Sequence, residues 1–376
     1  MRIVPRMPKP SERFPDNAPG DWYVDRSCID CGTCQRVAPA TFARSDGSSG
    51  NGASRGGAVG PRNAPASTVK AATGTPPAAG SPPSTRVAPA VVRRARGSTT
   101  GRKAAAGSAA ARPRADAPSP HGDPPHSYVA VQPRDGEELL RAGMALLACP
   151  VGAIGAPSRT DLRPARDEFP EEVAPGVHAL GYSSGKALGA AAWLVVRPDG
   201  NVLVDVPRFA RPLVERVDAL GGVAWIVLTH AGGAGEHAAW ARQYGARRVL
   251  HEADLALATA EVETRWTGSL RLADDLRLVE MPGYTPGSAV LLHAEATAFT
   301  GGLVGGDGAS GLTCPRAHRA WSAARLRASL EHLGELPFTA VHPSFGASWA
   351  GHDGDARRAA LVAAAADLDA AALRYA

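Results

Sequence analysis

The heptapeptide PGYTPGS, Pro282 to Ser288, decides how the second half of this 376-residue chain folds. It links two short apolar runs that read as strands, LRLVEM (276–281) and AVLLHA (289–294). Upstream, RRVLHE (247–252) and VAWIVLTH (223–230) read as further strands, with GEHAAWARQYG (235–245) as a helix between them. RPLVERVDALGG (211–222) is an amphipathic helix closed by glycines, and Pro198-Asp199-Gly200-Asn201 turns Trp193–Val196 back into Val202–Val206. Downstream lie a strand at TAFTGG (297–302), a long helix from about Ser322 to Leu333, and a last strand at FTAVH (338–342). Short strands with interspersed helices, and no internal repeat, predict a mixed α/β layered domain over 173–376.

Residues with metal chemistry collect at the ends of these strands. VLTHAGGAGEH (227–237) follows one, MPGYTPGS (281–288) a second, FTGG (299–302) ends a third and FTAVHPSFG (338–346) a fourth. Their order, spacing and flanks resemble the metallo-β-lactamase fold, whose usual pattern is T-H-x-H-x-D-H, then P-G-H-T-P-G-S, then strands ending in G-D and G-H. The resemblance implies an αββα sandwich, but it carries over the binuclear site only in part. His230 matches the first ligand and His342 the last, although Pro343 and Ser344 follow His342 in place of the usual glycine turn. Gly232 stands at the second ligand, and Ala234-Gly235 where the usual Asp-His pair belongs, with Glu236-His237 two places later as a shifted substitute. Tyr284 replaces the histidine of PGHTPGS, where it is expected to fill the space of a ligand, and Gly302 replaces the bridging aspartate. A hydrolase of this type needs a Lewis acid that acidifies bound water. Without the bridge two metals are not expected, whereas one zinc or iron on His230, Glu236, His237 or His342 stays open as a reduced set. Asp205, on the strand before the first of these loops, is expected to orient a loop.

The N-terminal half carries a different signal. SCIDCGTCQRVAP, Ser27 to Pro39, spaces Cys28, Cys31 and Cys34 two residues apart and then offers Ala38-Pro39. Bacterial-type ferredoxins use C-x2-C-x2-C-x3-C-P, and a remote Cys-Pro closes the first cluster of two-cluster versions. Two remote Cys-Pro pairs exist, Cys149-Pro150 and Cys314-Pro315, and CPVGAI (149–154) resembles the closing motif of ferredoxins. Cys28, Cys31, Cys34 and Cys149 are therefore the expected ligands of a single 4Fe-4S cluster, with a 3Fe-4S form also compatible. Cys314 is expected to be a structural thiol. The competing reading is a four-cysteine zinc site, which more often pairs its cysteines as two separate C-x2-C knuckles. The 114 residues between Cys34 and Cys149 are no obstacle. Quadrupling a loop of about 30 residues costs roughly 1.2 kcal/mol. The geometry does require residues 44 and 126 to emerge side by side.

Between them, residues 44–126 hold twelve Lys or Arg against three Asp, a net of +9, which leaves −4 for the rest of a chain of net charge +5. This stretch is rich in Ala, Gly, Pro and Ser, too poor in large apolar residues to offset the entropy of ordering, and is expected to be a disordered basic insert. Its Arg and Lys runs lack aromatic interleaving, so a solvated segment is expected and nucleic acid is not. SYVAVQPRDGEELLRAGMALLACP (127–150) restores order with a strand at Tyr128–Gln132 and a helix carrying Leu139, Leu140, Met144 and Leu147. His251, His293, His318, His332 and His352 lack ligand spacing and read as decoration.

The expected organisation is an extension (1–20), a split single-cluster ferredoxin-like α+β domain (21–43 plus 127–155), the insert (44–126), a linker (156–172) and the metallo-β-lactamase-like domain (173–376). The whole chain is similar to ferredoxin-fused metallo-β-lactamase-like proteins of photosynthetic lineages, which implies electron transfer to a redox partner that the sequence does not identify. The alternative is a superfamily hydrolase with one metal and a structural or regulatory cluster. The N-terminus shows no apolar signal-peptide core, and no run reaches the ~18 apolar residues of a membrane span. A soluble intracellular protein, cytoplasmic or in the plastid stroma, is expected, and the oligomeric state is left open.

Overall fold

In both principal sheets the strands lie side by side in chain order. Glu171–Ala174, Val177–Ala179, Trp193–Val195, Val202–Val204, Trp225–Val227, Arg247–His251 and Thr264–Trp266 make the first. Ser269–Ala273, Leu276–Glu280, Ala289–His293, Thr297–Gly301, Ala340–Pro343 and Trp349–Ala350 make the second. This is a computed structural model, and it describes residues 7–45, 123–308, 310–351 and 353–375. In the first sheet pairing is antiparallel as far as Val202–Val204 and parallel from there on. Parallel neighbours need a crossover, and the helices Arg211–Ala219 and His237–Tyr244 supply the first two. In the second sheet Thr297–Gly301 pairs in parallel with Ala340–Pro343 across the helix Ala323–Glu335.

Alternation along the strands builds three layers of packing. Val202 and Val204 face the second sheet, where they share a core with Trp193, Val227, Leu278, Leu291 and Phe299. Leu203, between them, points the other way and packs with Leu213, Val217 and Trp240 from the crossover helices. On the far side of the second sheet, Val290, Leu292 and Val341 pack on Leu326, Leu330 and Leu361. Two sheets face to face with helices outside is the αββα sandwich. The helix Gly354–Tyr375 completes it and had no sequence signal, because an alanine-dominated stretch favours helix without displaying an apolar stripe.

The N-terminal segments pack onto the outer face of the first sheet, where Trp22, Val24, Val37, Phe42, Val129, Met144 and Ile154 join the same core as Leu194 and Leu203. Phe42–Ser45 pairs antiparallel with His126–Val129, opposing Ser45 to His126. The chain thus leaves and returns at neighbouring positions. This strand starts two residues before the expected Tyr128 and ends at Val129, its register set by Phe42. Of the expected disordered insert, residues 46–122 lie outside the described residues.

The helix Gly136–Ala148 starts at Asp135, whose carboxylate accepts from the Glu138 amide at 2.9 Å. Its buried face is Ala142, Gly143, Met144, Ala145 and Ala148, and the expected Leu139 is exposed. The reason is close packing. A β-carbon on Gly143 would stand 3.0 Å from that of Ala165, on the short helix Arg163–Asp167, so the stretch expected as a linker lies packed against the ferredoxin-like part.

Candidate metal centres

Cys28, Cys31, Cys34 and Cys149 line one cavity of about 20 Å³, walled by Val24, Ile29, Pro150 and Ile154. Cys28 and Cys31 flank a bend in which Asp30 and Gly32 take left-handed angles (φ 52° and 76°), and Cys34 lies on the helix Thr33–Val37 that Gly32 opens. Cys149 closes the helix Gly136–Ala148. Amides converge on the sulfurs: Asp30 and Ser127 donate to Cys28 Sγ at 3.5 and 3.4 Å, and Ala153 to Cys149 Sγ at 3.3 Å. The Thr33 hydroxyl lies 3.4 Å from Cys31 Sγ.

Burial raises the thiol pKa values, that of Cys28 to about 11 and those of Cys34 and Cys149 in the same direction. Holding thiolates here therefore needs positive charge inside the cavity, which iron supplies. Among the described residues no group of three or more His, Cys, Asp or Glu is arranged to hold a metal ion. The four thiols line one cavity and the amide donors suit sulfur acceptors, so the donor set is of the kind a cluster takes. Cys314 is elsewhere, in the outer core of the second sheet with Leu312, Leu361 and Leu368.

The candidate ligands of the C-terminal domain have different surroundings. His230 is fully buried, and neither ring nitrogen has a hydrogen-bond partner; Nε2 lies 3.9 Å from Asp205 Oδ2. Its ring meets Tyr284 edge-on at 5.0 Å and Phe345 at 6.0 Å, and burial lowers its pKa. Glu236 accepts from Lys186 Nζ and the Phe209 amide, both at 2.8 Å. His237 lies 3.1 Å from the Ala258 carbonyl through Nε2 and 3.3 Å from Arg248 through Nδ1. His342 Nδ1 lies 3.0 Å from Ser348 Oγ, and its ring packs against Trp193 at 4.7 Å. Glu236 and His237 line an open cavity of about 530 Å³, with Lys186, Arg242 and Asp254, and His230 and His342 are not among its lining residues.

Asp205 takes the orienting role. It accepts from the Thr229 amide at 2.9 Å, from the Thr229 hydroxyl at 2.8 Å and from the Ser344 hydroxyl at 2.5 Å, tying together the loops after two strands. Tyr284 and Gly302 fit one another: a β-carbon on Gly302 would fall 2.2 Å from the tyrosine ring.

His342 also sets a pH dependence. Burial, with Arg36 adding to it, lowers its pKa to about 4. The unfolded chain then binds the proton more tightly, so the contribution is complete above the ordinary value of about 6.5 and is lost as pH falls towards 4. Between pH 7.5 and 5 this amounts to about 2 kcal/mol. Urea midpoints should fall over that range, and His342→Gln should flatten the fall; an unchanged slope would contradict the buried neutral imidazole.

The cysteine bend touches the C-terminal domain directly. Gly189 (φ 80°) presses against Cys31, since a β-carbon there would come within 2.6 Å of Cys31 Cβ. Arg316, from the C-terminal domain, donates to the Ile29 carbonyl at 3.5 Å and the Leu188 carbonyl at 3.3 Å, and stacks on Phe345 at 4.4 Å. Sequence reasoning missed Arg316, which belongs to no motif.

A ferredoxin-type cysteine cavity built onto an αββα sandwich defines a two-part class of protein, and the family profiles agree. Residues 180–364 match the Metallo-beta-lactamase superfamily and residues 24–53 the 4Fe-4S single cluster domain of Ferredoxin I, so the chain joins a domain of the first to one of the second. No curated protein matches closely enough to count as a relative. Similar solved structures include a metallo-beta-lactamase from Erythrobacter litoralis, at 18% identity over 53% of this chain and 91% of that one, with a TM-score of 0.40. A metallo-beta-lactamase from Pontibacter korlensis has 18% identity over 53% and 97%, at 0.41. ETHE1 from Myxococcus xanthus has 16% over 50% and 84%, at 0.39. Among the described residues no helix is long and apolar enough to cross a membrane.

Proposed function

We propose that the chain is an electron-transfer protein in which Cys28, Cys31, Cys34 and Cys149 hold a 4Fe-4S cluster, on a metallo-β-lactamase-fold domain that has lost its binuclear metal site. The observation that carries this is the position of Cys149 on the same cavity as the three clustered cysteines. When bound, the cluster supplies a one-electron couple. The chain's part is to fix four sulfurs, direct amides at them and wall the site with Val24, Ile29 and Ile154 against water. The domain boundaries follow this division, with 21–43 and 127–155 forming the cluster module. Anaerobic purification and analysis of iron, acid-labile sulfide and zinc tests it. Iron and sulfide in near-equal amounts, with one-electron reduction by dithionite, are expected; zinc without sulfide would end the reading.

A hydrolase with one metal is the second reading, and the bare nitrogens of His230 favour it. Against it, Glu236 and His237 are already engaged, and Tyr284 fills the flank where a ligand would stand. Thiol-ester or phosphoester turnover lost in His230→Ala would support it.

A further inference from the structure

Arg316 is a buried cation that, among the described residues, pairs with no acid. It is 2% exposed, and the contacts of its guanidinium are two carbonyls and the face of Phe345. The charged and titratable groups around it include Cys31, Tyr284, Arg319, Asp30, His230 and His318. Asp30 is already held in a bidentate pair by Arg44, at 2.6 and 2.8 Å. A guanidinium cannot shed its proton, so burying one without a counter-charge is costly unless an anion stands nearby. Ile29, whose carbonyl Arg316 caps, and Cys31 both line the cysteine cavity, so the guanidinium lies at its rim.

We propose that Arg316 is a counter-charge of the cluster site beside Arg36, a cation lent by the C-terminal domain that makes the cluster easier to reduce. The inference rests on the electron-transfer reading. Iron held by four thiolates is a net anion, and one further electron adds one negative charge within reach of this guanidinium, in a water-poor setting where attraction is weakly screened. It also gives the αββα domain a task that needs no metal of its own. The stack on Phe345, itself packed against Tyr284 and His230, holds the guanidinium over the Ile29–Cys31 bend. Arg316 is thus a positioning and tuning residue.

The test is a redox titration of the full-length, cluster-loaded protein, comparing wild type with Arg316→Gln, Arg316→Lys and the exposed control Arg319→Gln. At a fixed poise the ratio of reduced to oxidised cluster should fall about tenfold in Arg316→Gln, a shift of about 59 mV for a one-electron couple. Arg316→Lys should lie nearer wild type, and Arg319→Gln should coincide with it. A loaded Arg316→Gln at the wild-type potential, or an equal shift in Arg319→Gln, overturns the proposal and leaves the cluster standing. If Arg316→Gln gives no loaded protein, Arg316→Lys decides, and a full tenfold loss there despite the retained charge also overturns it. A wild-type protein without iron and sulfide defeats the electron-transfer reading itself, and this inference with it.

Discussion

Replacing Cys149 with serine in the full-length protein is expected to reduce iron and sulfide content by about an order of magnitude. The three other cysteines sit on one bend and the first turn of a short helix, and all three line the cavity. Cys149, at the end of a helix whose position is fixed by Met144 and Ala148 in the core, lines it from a separate element. A serine hydroxyl has a much higher pKa than a thiol and is a harder donor, so it binds iron weakly in a site whose burial already opposes ionisation. Cys314→Ser is the matched control, a buried thiol in a different core, expected to keep its iron. Full iron in Cys149→Ser and loss in Cys314→Ser would transfer the fourth position to the other Cys-Pro pair and undo the description of the cavity.

The fold was legible because its decisive features are local. Alternation in Val202-Leu203-Val204 states which residues face which layer, and the loops after the strands carry recognisable spacing. The shared cavity of the four cysteines was legible because CPVGAI marks Cys149 whatever the length of chain between. What escaped was set by contacts between distant residues. Glu236 and His237 read as shifted ligands, and only the fold brings Lys186 and Arg248 to them. Arg316 carries no motif, and its place above the Ile29–Cys31 bend follows from the docking of the loop around Gly189. In sequence Tyr284 and Gly302 were two separate departures from a pattern; in the structure they are one contact.

That contact yields the second large effect. Gly302→Ala is expected to destabilise the protein by about 3 kcal/mol, because its β-carbon would overlap the Tyr284 ring, which is boxed in by His230 and Phe345. Tyr284→Ala should cost a similar amount, about 3 kcal/mol, by emptying a buried aromatic site. The double variant should lose far less than the two losses together, with a coupling of about 2 to 3 kcal/mol, because removing the ring removes the overlap. Urea unfolding followed by tryptophan fluorescence gives the four stabilities of the cycle. Additivity within about 0.5 kcal/mol would mean that the ring and the glycine do not depend on one another. Coupling of the expected size carries a consequence for the metal site. An aspartate at 302 could not be seated while Tyr284 remains, so placing a carboxylate there requires both positions to change together, and neither single change is expected to create a metal bridge.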